Sequence, residues 1–515
     1  MRSSESKLRF LWLVILLGGL GSSHVFGQTL AYFRKAPTGF EWGWGGKSGV
    51  RSVKSWAGPF ADTAAAFDRQ FREAFHASRS TGVSIHLGPG RWTTRGMNAT
   101  ANSGLFNNGD LLFALSGDGM GITTLQLEDD APYDPCQGFL LVISNAGAGH
   151  THSVRIQDLT IDCNWPGQNT VVKTNCTQGT CRDTANRKGE AAYKCGFKVG
   201  GIAMSAAFGL IERVEVVNFG ANGMRPLAGA GVEAFGILLT TADYGQTDTP
   251  LVIRNCRVGQ FQALNGGYCT GISLVTRDPG PWTRANPYGK RTNRLALVES
   301  NEVFNLPGGI AYGCAFAEQV TFSRNKADGC ATGFNCDSVG EGAADLVTGI
   351  VLEENLFTNV FSGINFGAPG FGNPQEVKFS AIHLRNNSIH LLGDTSAQCW
   401  SGVVDRPPFC GWVESFGIRL QGATGDVHIS GNRFSAAPRA MWQDSLGPRT
   451  TAPNFLPIQV IRDANYSLVP GCDCIRRQPI FNADPILDAP NYVSRIAGTF
   501  GDPIEARPNA PAMVP

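Results

Sequence analysis

The sequence predicts an all-β chain wound into one parallel β-helix, with a capping helix at its N-terminal end and a cap and tail at its C-terminal end. Three observations predict it: a Gly-initiated strand that recurs, an Asn corner that recurs between those strands, and one amphipathic segment placed ahead of both. The first phrase reads Gly201-Ile202-Ala203-Met204, Gly236-Ile237-Leu238-Leu239 and Gly271-Ile272-Ser273-Leu274. It returns as Gly309-Ile310-Ala311-Tyr312, Gly333-Phe334-Asn335-Cys336, Gly363-Ile364-Asn365-Phe366 and Gly417-Ile418-Arg419-Leu420. Each copy has the period of two of a strand, so its second and fourth residues share a face. The glycines are 35, 35, 38, 24, 30 and 54 residues apart. A repeat with a short minimum and variable insertions is that of a solenoid whose coils carry several strands each. The register predicts an internal column of Ile237, Ile272, Ile310, Phe334, Ile364 and Ile418, each contributing about 1.5–3 kcal/mol on burial.

The second phrase is an apolar strand running into Asn: Ile253-Arg254-Asn255-Cys256, Glu299-Ser300-Asn301 and Phe322-Ser323-Arg324-Asn325. It continues as Leu352-Glu353-Glu354-Asn355, Leu384-Arg385-Asn386-Asn387 and Ile429-Ser430-Gly431-Asn432. Asn tolerates the left-handed backbone of a sharp corner, and its amide can bond the neighbouring coil. Each coil therefore reads strand, Asn corner, strand, loop, Gly, strand.

The amphipathic segment runs from Asp62 through Ser78, with Phe67, Phe71, Ala74 and Phe75 at helical spacing. Behind it come Val83-Ser84-Ile85-His86-Leu87-Gly88-Pro89-Gly90-Arg91-Trp92 and Leu115-Ser116-Gly117-Asp118-Gly119, then Ile122-Thr123-Thr124-Leu125. Helix, strand with Pro-Gly-aromatic, then Gly-x-Gly-x-x-x-Thr resembles the entry to the pectin-lyase-like proteins of the pectate lyase superfamily. The resemblance covers roughly residues 48 to 445 and implies a right-handed coil whose open end the helix caps.

Arg2, Lys7 and Arg9 precede an apolar run from Phe10 to Leu20, the pattern of a signal peptide cleaved near Gly27. The organisation expected is signal peptide 1–27, lead-in 28–47, β-helix 48–445, and a C-terminal cap and loose tail 446–515. The product is secreted, periplasmic or extracellular, with no membrane attachment after cleavage. A net charge of +1 gives no footprint for nucleic acid, and oligomeric state is not legible. Fourteen cysteines suit an oxidising compartment. Cys163, Cys176, Cys181 and Cys195 surround a polar insertion and predict at least one disulfide among them. Cys336, by its register, is a packed thiol.

The residues two and four after each Gly face outward. The first outward column is Ala203, Leu238, Ser273, Ala311, Asn335, Asn365 and Arg419. The second is Ser205, Thr240, Val275, Gly313, Asp337, Gly367 and Gln421. Aligned Asn335, Asp337, Asn365, Arg419 and Gln421 make a solvent-facing groove suited to sugar hydroxyls, walled by long insertions. Those insertions bring Asp243 and Tyr244, then Arg277, Asp278 and Trp282, then Glu341. From Arg277 to Arg294 there are five basic residues and one acidic residue, with aromatics between them, a composition for an anionic polysaccharide.

Glycosidic hydrolysis takes two carboxylates. Asp337 is the carboxylate of the outward columns, with Glu341, Asp243 or Asp278 as its partner. Substrate contacts fall to Asn335, Asn365, Arg419, Gln421, Arg277, Trp282 and Tyr244. β-Elimination from a uronic acid is the alternative, with a basic residue as base and a cation such as calcium on the carboxylate. Hydrolysis requires no cofactor. A non-catalytic carbohydrate-binding surface protein on the same scaffold is the third reading. Polygalacturonases of the resembled family carry Asn-Thr-Asp, Asp-Asp, Gly-His-Gly and Arg-Ile-Lys. This chain has only Asp129-Asp130, ahead of the main coils. The lyase pattern Arg-x-Pro-x-x-Arg is approximated by Arg277 to Arg284, with the second Arg displaced.

Overall fold

The computed structural model describes residues 29–45, 53, 55–77, 82–99, 112–131, 139–143, 153–168, 197–206, 208–222, 233–241, 251–264, 268–275, 293–315, 317–337, 345–360, 362–366, 377–391, 416–421, 427–436, 443–444, 447–448, 456–461, 464–468, 475–479, 491–494 and 503–504. The chain winds as a parallel β-helix in which strands stack coil upon coil rather than side by side in sequence. One column of strands runs Val83–Leu87, Leu112–Ser116, Ser153–Asp162, Phe208–Val217, Leu251–Arg254, Asn293–Glu299, Ala317–Ser323, Asp345–Glu353, Ile382–Arg385 and Val427–Ser430. A second begins at Gly90–Thr94 and Thr123–Leu127 and runs through Ser388–Leu391 and Arg433–Ala436 to Asn491–Ser494. The third holds the Gly-initiated strands, from Met97–Ala99 to Leu456–Ile461. Strand pairing extends past residues 48 and 445: Thr29–Ala36 pairs in parallel with Val83–Leu87, and Phe416–Gln421 with Leu456–Ile461.

The helix spans Ala64–Ala77 and buries Phe67, Phe71, Ala74 and Phe75, the face its spacing predicts. The Thr63 hydroxyl accepts from the Ala66 amide at 3.3 Å, which supplies the N-terminal cap. Phe67 packs against Phe33, Phe40 and Trp92, so helix and first coil share one aromatic cluster.

The corner between the first two columns is left-handed, as the sequence implies, but of the Asn residues in the phrase only Asn255 and Asn386 take that backbone themselves; in the other coils the residue before the Asn does. Asn255, Ser300, Arg324, Glu354 and Asn386 hold the left-handed backbone, with φ of 53–57°. The residue after each turns inward: Cys256, Asn301, Asn325, Asn355 and Asn387, then Asn432 after Gly431. Asn255 and Asn386 are thus corner residues, while Cys256 and Asn387 occupy the ladder. Within the ladder, the Asn325 amide side chain donates to Asn355 Oδ1 at 3.0 Å and to the Val298 carbonyl at 2.8 Å. Asn355 repeats this toward Asn387 and the Phe322 carbonyl, and Asn387 toward Asn432 and the Leu352 carbonyl.

In the third column, Gly and the next residue both face inside. A Cβ on Gly201 would meet the Val216 side chain and stand 2.6 Å from the Gly236 carbonyl oxygen. One on Gly236 would stand 2.6 Å from the Gly271 oxygen, and one on Gly363 would overlap the Gly417 oxygen. Coils approach too closely there for any other common side chain except the smallest. Ala311 takes that position in its own coil, fully buried.

This corrects one rung of the expected register. Tyr312, not Ile310, pairs with Ile272 and Phe334; Ile310 pairs with Thr270 and Thr332. The internal column is Ile202, Ile237, Ile272, Tyr312, Phe334, Ile364 and Ile418. The reason is an irregularity in Glu302–Ala315. Leu306 and Ile310 oppose Cys330 and Thr332, so Pro307-Gly308 are two extra residues and Gly309 lies two places early. The outward positions shift accordingly, from Ala311 to Gly313 and from Gly313 to Ala315. Tyr312 is tolerated inside because its hydroxyl donates to the Lys326 carbonyl at 2.7 Å. Burial pushes that hydroxyl well above its ordinary pKa.

Cys163 is a buried thiol, as are Cys256, Cys269, Cys314, Cys330 and Cys336. Cys163 therefore takes no part in the predicted disulfide: it directly follows the core strand Ser153–Asp162 and packs at zero exposure. Cys176, Cys181 and Cys195 lie outside the described residues.

Candidate functional site

The outer face of the third column is the surface the repeats point to. Consecutive rungs set Ala203, Leu238, Ser273, Gly313, Asn335, Asn365 and Arg419 in one line. Asn335 and Asn365 meet there, with the Asn365 amide donating to Asn335 Oδ1 at 2.6 Å. Phe334 and Phe366 pack inside against each other, which turns the intervening Asn side chains outward. Yet Asn335 is 8% exposed and Asn365 4%. The open, solvent-facing strip expected from the sequence is, at these rungs, a covered one. A buried amide needs a partner, and each Asn supplies one for the other.

A second line on the same face precedes the corner: Phe235, Thr270, Ile310, Thr332 and Ser362. The Thr270 hydroxyl donates to Glu233 Oε1 at 2.6 Å, and Lys198 Nζ stands 5.9 Å over the Phe235 ring. Glu233, Thr270, Thr332 and Ser362 were not among the expected site residues. The signal was present, since Thr or Ser stands directly before Gly271, Gly333 and Gly363. The corner defeats the inference: two successive inward residues reverse the strand's phase, and counting forward from Gly never reaches the residues behind it.

Asp337 ends the strand Lys326–Asp337, two residues beyond Asn335 and paired with Ala315. Arg419 pairs with Asn365 and with Gln459, and Gln421 pairs with Ile461. Asn335, Asn365 and Arg419 are therefore on successive rungs, as expected. Glu341, Asp243, Asp278, Arg277, Trp282 and Tyr244 lie outside the described residues. Among the described residues, no three His, Cys, Asp or Glu side chains gather as a metal site, and no helix is long and apolar enough to cross a membrane.

Another constellation lies on the first column. His86 Nδ1 is 3.0 Å from Ser116 Oγ, and His86 Nε2 is 3.4 Å from Asp118 Oδ1. Serine, histidine and aspartate in line resemble a nucleophilic triad, which also requires donors for an oxyanion. The neighbouring amides are already engaged. Gly117 donates to the Gln157 carbonyl at 3.2 Å, Asp118 to Thr123 Oγ1 at 3.0 Å and Gly119 to the Asp158 carbonyl at 2.8 Å. Thr123, the Thr of Gly-x-Gly-x-x-x-Thr, is thus the pin of a turn. The trio ties adjacent coils together, and these three amides are not free to serve as oxyanion donors.

The described strands define a parallel β-helix protein, the fold that the pectin-lyase-like resemblance implies. No family profile matches the chain, and no curated protein matches it. Among solved structures it is similar to the mannuronan C-5 epimerase AlgE4 A-module of Azotobacter vinelandii. That match has 15% identity over 78% of this chain and 91% of that one, with a TM-score of 0.38. It is similar also to DFA-IIIase from Arthrobacter chlorophenolicus A6, with 14% identity over 78% and 91% and a TM-score of 0.36. A third is PfbA, a surface adhesin of Streptococcus pneumoniae, with 11% identity over 82% and 92% and a TM-score of 0.36. At such scores the assignment of fold rests on this chain's own strand pairing.

Proposed function

We propose that the protein is a secreted glycoside hydrolase that binds a polysaccharide along the outer face of the third strand column. The observation that carries this reading is the line Ser273, Gly313, Asn335, Asn365 and Arg419 on successive rungs. Parallel strands stack about 4.8 Å apart, so Ser273, Asn335, Asn365 and Arg419 stand at rung spacing on that line, with Gly313 leaving a gap between the first two. The bond between Asn335 and Asn365 fixes both amides in orientation before any ligand arrives.

In this reading Asp337 protonates the glycosidic oxygen and a second carboxylate activates water or attacks the sugar carbon. Glu233 is excluded as that partner. Its strand stands three rungs from that of Asp337, about 14 Å at the usual strand spacing, beyond the roughly 5–9.5 Å that glycosidases use. Glu341 follows Asp337 in the same coil, whereas Asp278 and Asp243 follow strands two and three rungs away. Glu341 is therefore the first partner to test. Arg277, Trp282 and Tyr244 would meet an acidic sugar from the loops.

The test is a polysaccharide panel read for both reducing ends and near-ultraviolet absorbance. New reducing ends without absorbance are expected. Absorbing products would transfer the reaction to β-elimination, and neither signal on any acidic or neutral polymer would sink catalysis. For the residue, Asp337→Asn keeps the shape and removes the charge. It is expected to lower turnover at least about a hundredfold with the unfolding midpoint unchanged; wild-type turnover in the folded variant rejects the assignment.

A further inference from the structure

The six described cysteines are all buried thiols, but they are not equivalent. Cys256 Sγ donates to the Arg254 carbonyl at 3.3 Å, and Cys330 Sγ to the Asp328 carbonyl at 3.6 Å. Burial pushes both of these thiols up to about 12. Cys314 and Cys336 differ from them: their sulfurs face each other at 3.4 Å. They are direct Cα partners on neighbouring rungs, Glu302–Ala315 against Lys326–Asp337. Strands in a sheet lie about 4.8 Å apart, inside the roughly 4.4–6.8 Å Cα separation that disulfides span. Both side chains project into the core beneath the face that carries Gly313 and Asn335.

We propose that Cys314 and Cys336 are joined by a disulfide in the exported protein, stapling two successive coils directly beneath the candidate site. Two thiols lose two protons and two electrons, and one sulfur–sulfur bond forms. The electrons pass to the disulfide of a thiol–disulfide oxidoreductase or to oxidised glutathione, which leaves as two thiols. The pair is 22 residues apart in sequence, so the bond closes a short loop and forms as one coil docks on the last. Once the coils are stacked, both residues are 3% exposed or less, out of reach of oxidant and reductant alike. The inference is independent of the hydrolase reading, since it concerns the core and not the carboxylates.

The experiment uses the full chain exported to an oxidising compartment, denatured in the presence of N-ethylmaleimide and digested without reductant. A linked peptide pair containing Cys314 and Cys336 is expected. It should persist after dithiothreitol treatment of the native protein and disappear when dithiothreitol is added in denaturant. Cys330→Ala should leave the linked pair in place. Recovery of Cys314 and Cys336 each carrying maleimide overturns the proposal, as does linkage of either one to another cysteine.

Discussion

Asparagine does two different jobs in this molecule, one inside the coil and one on its outer face. Inside the first corner, Asn301, Asn325, Asn355, Asn387 and Asn432 stack in register, each amide donating to the preceding coil's backbone. Four of them pass a second bond to the next Asn. Outside, on the third column, Asn335 and Asn365 form a pair between Gly313 and Arg419. The inner set is periodic because every coil must satisfy the same corner backbone. The outer pair belongs to two coils and answers no repeated backbone need. Repetition marks a residue that holds the fold, and interruption of a column marks one that the fold leaves to another purpose.

The largest effect expected from breaking this contrast is at Asn355. Its carboxamide accepts from the Asn325 amide and side chain and donates to Phe322 and Asn387. Asn355→Ala strands several buried groups, each costing about 1–3 kcal/mol, so a loss of about 4 kcal/mol in urea unfolding is expected. A loss under about 1 kcal/mol would mean the ladder is dispensable.

Asn335→Ala is the outer counterpart. It removes the acceptor of one buried Asn365 donor, about 1–3 kcal/mol and less than the several groups stranded at Asn355, while turnover on the substrate found by the panel is expected to fall at least about tenfold, or 1.4 kcal/mol in the barrier. Stability and activity losses in the reverse order would make the outer pair structural too.

Cys256 sharpens the comparison from the other direction. It occupies the ladder position below Asn301, and its amide donates to Asn301 Oδ1 at 2.9 Å. Its sulfur lies 3.6 Å from the Ile211 carbonyl, a second acceptor for its one proton, and accepts from the Val214 amide, positions where an Asn would bond more strongly. Cys256→Asn is therefore expected to be neutral or stabilising by about 0.5–1 kcal/mol; a clear loss in calorimetry would show that the ladder has ended by design of shape. The smallest effect is at His390, whose pKa burial lowers. The unfolded chain then binds more protons below about pH 6.5, so stability falls as pH drops through that value. His390→Gln should flatten that limb of the stability–pH curve, measured by urea midpoints at several pH values.

Much of this was legible in the residues. The Gly phrase announced a recurring strand of period two, while the close approach of coils at its glycine is seen only in the structure. The Asn phrase announced a left-handed corner, and Phe67, Phe71, Ala74 and Phe75 announced the cap. What misled was always a matter of partner. Gly309 reads as the glycine opening its copy of the repeated strand, until the pairing of Leu306 and Ile310 exposes Pro307-Gly308 as an insertion. Asn301, Asn325 and Asn355 read as the left-handed corner residues, yet Ser300, Arg324 and Glu354 take that backbone and the Asn side chains turn inside. Cys163 looked like half of a disulfide and is a core thiol. Period and turn chemistry are properties of a few adjacent residues, so the sequence by itself determined the strands, the corners and the class of fold. Register between coils, the reversal of phase at each Gly, and the burial of Asn335 and Asn365 depend on contacts between segments far apart in the chain. Only the tertiary structure decided those, because the free energy that selects them is released when one coil closes on the next.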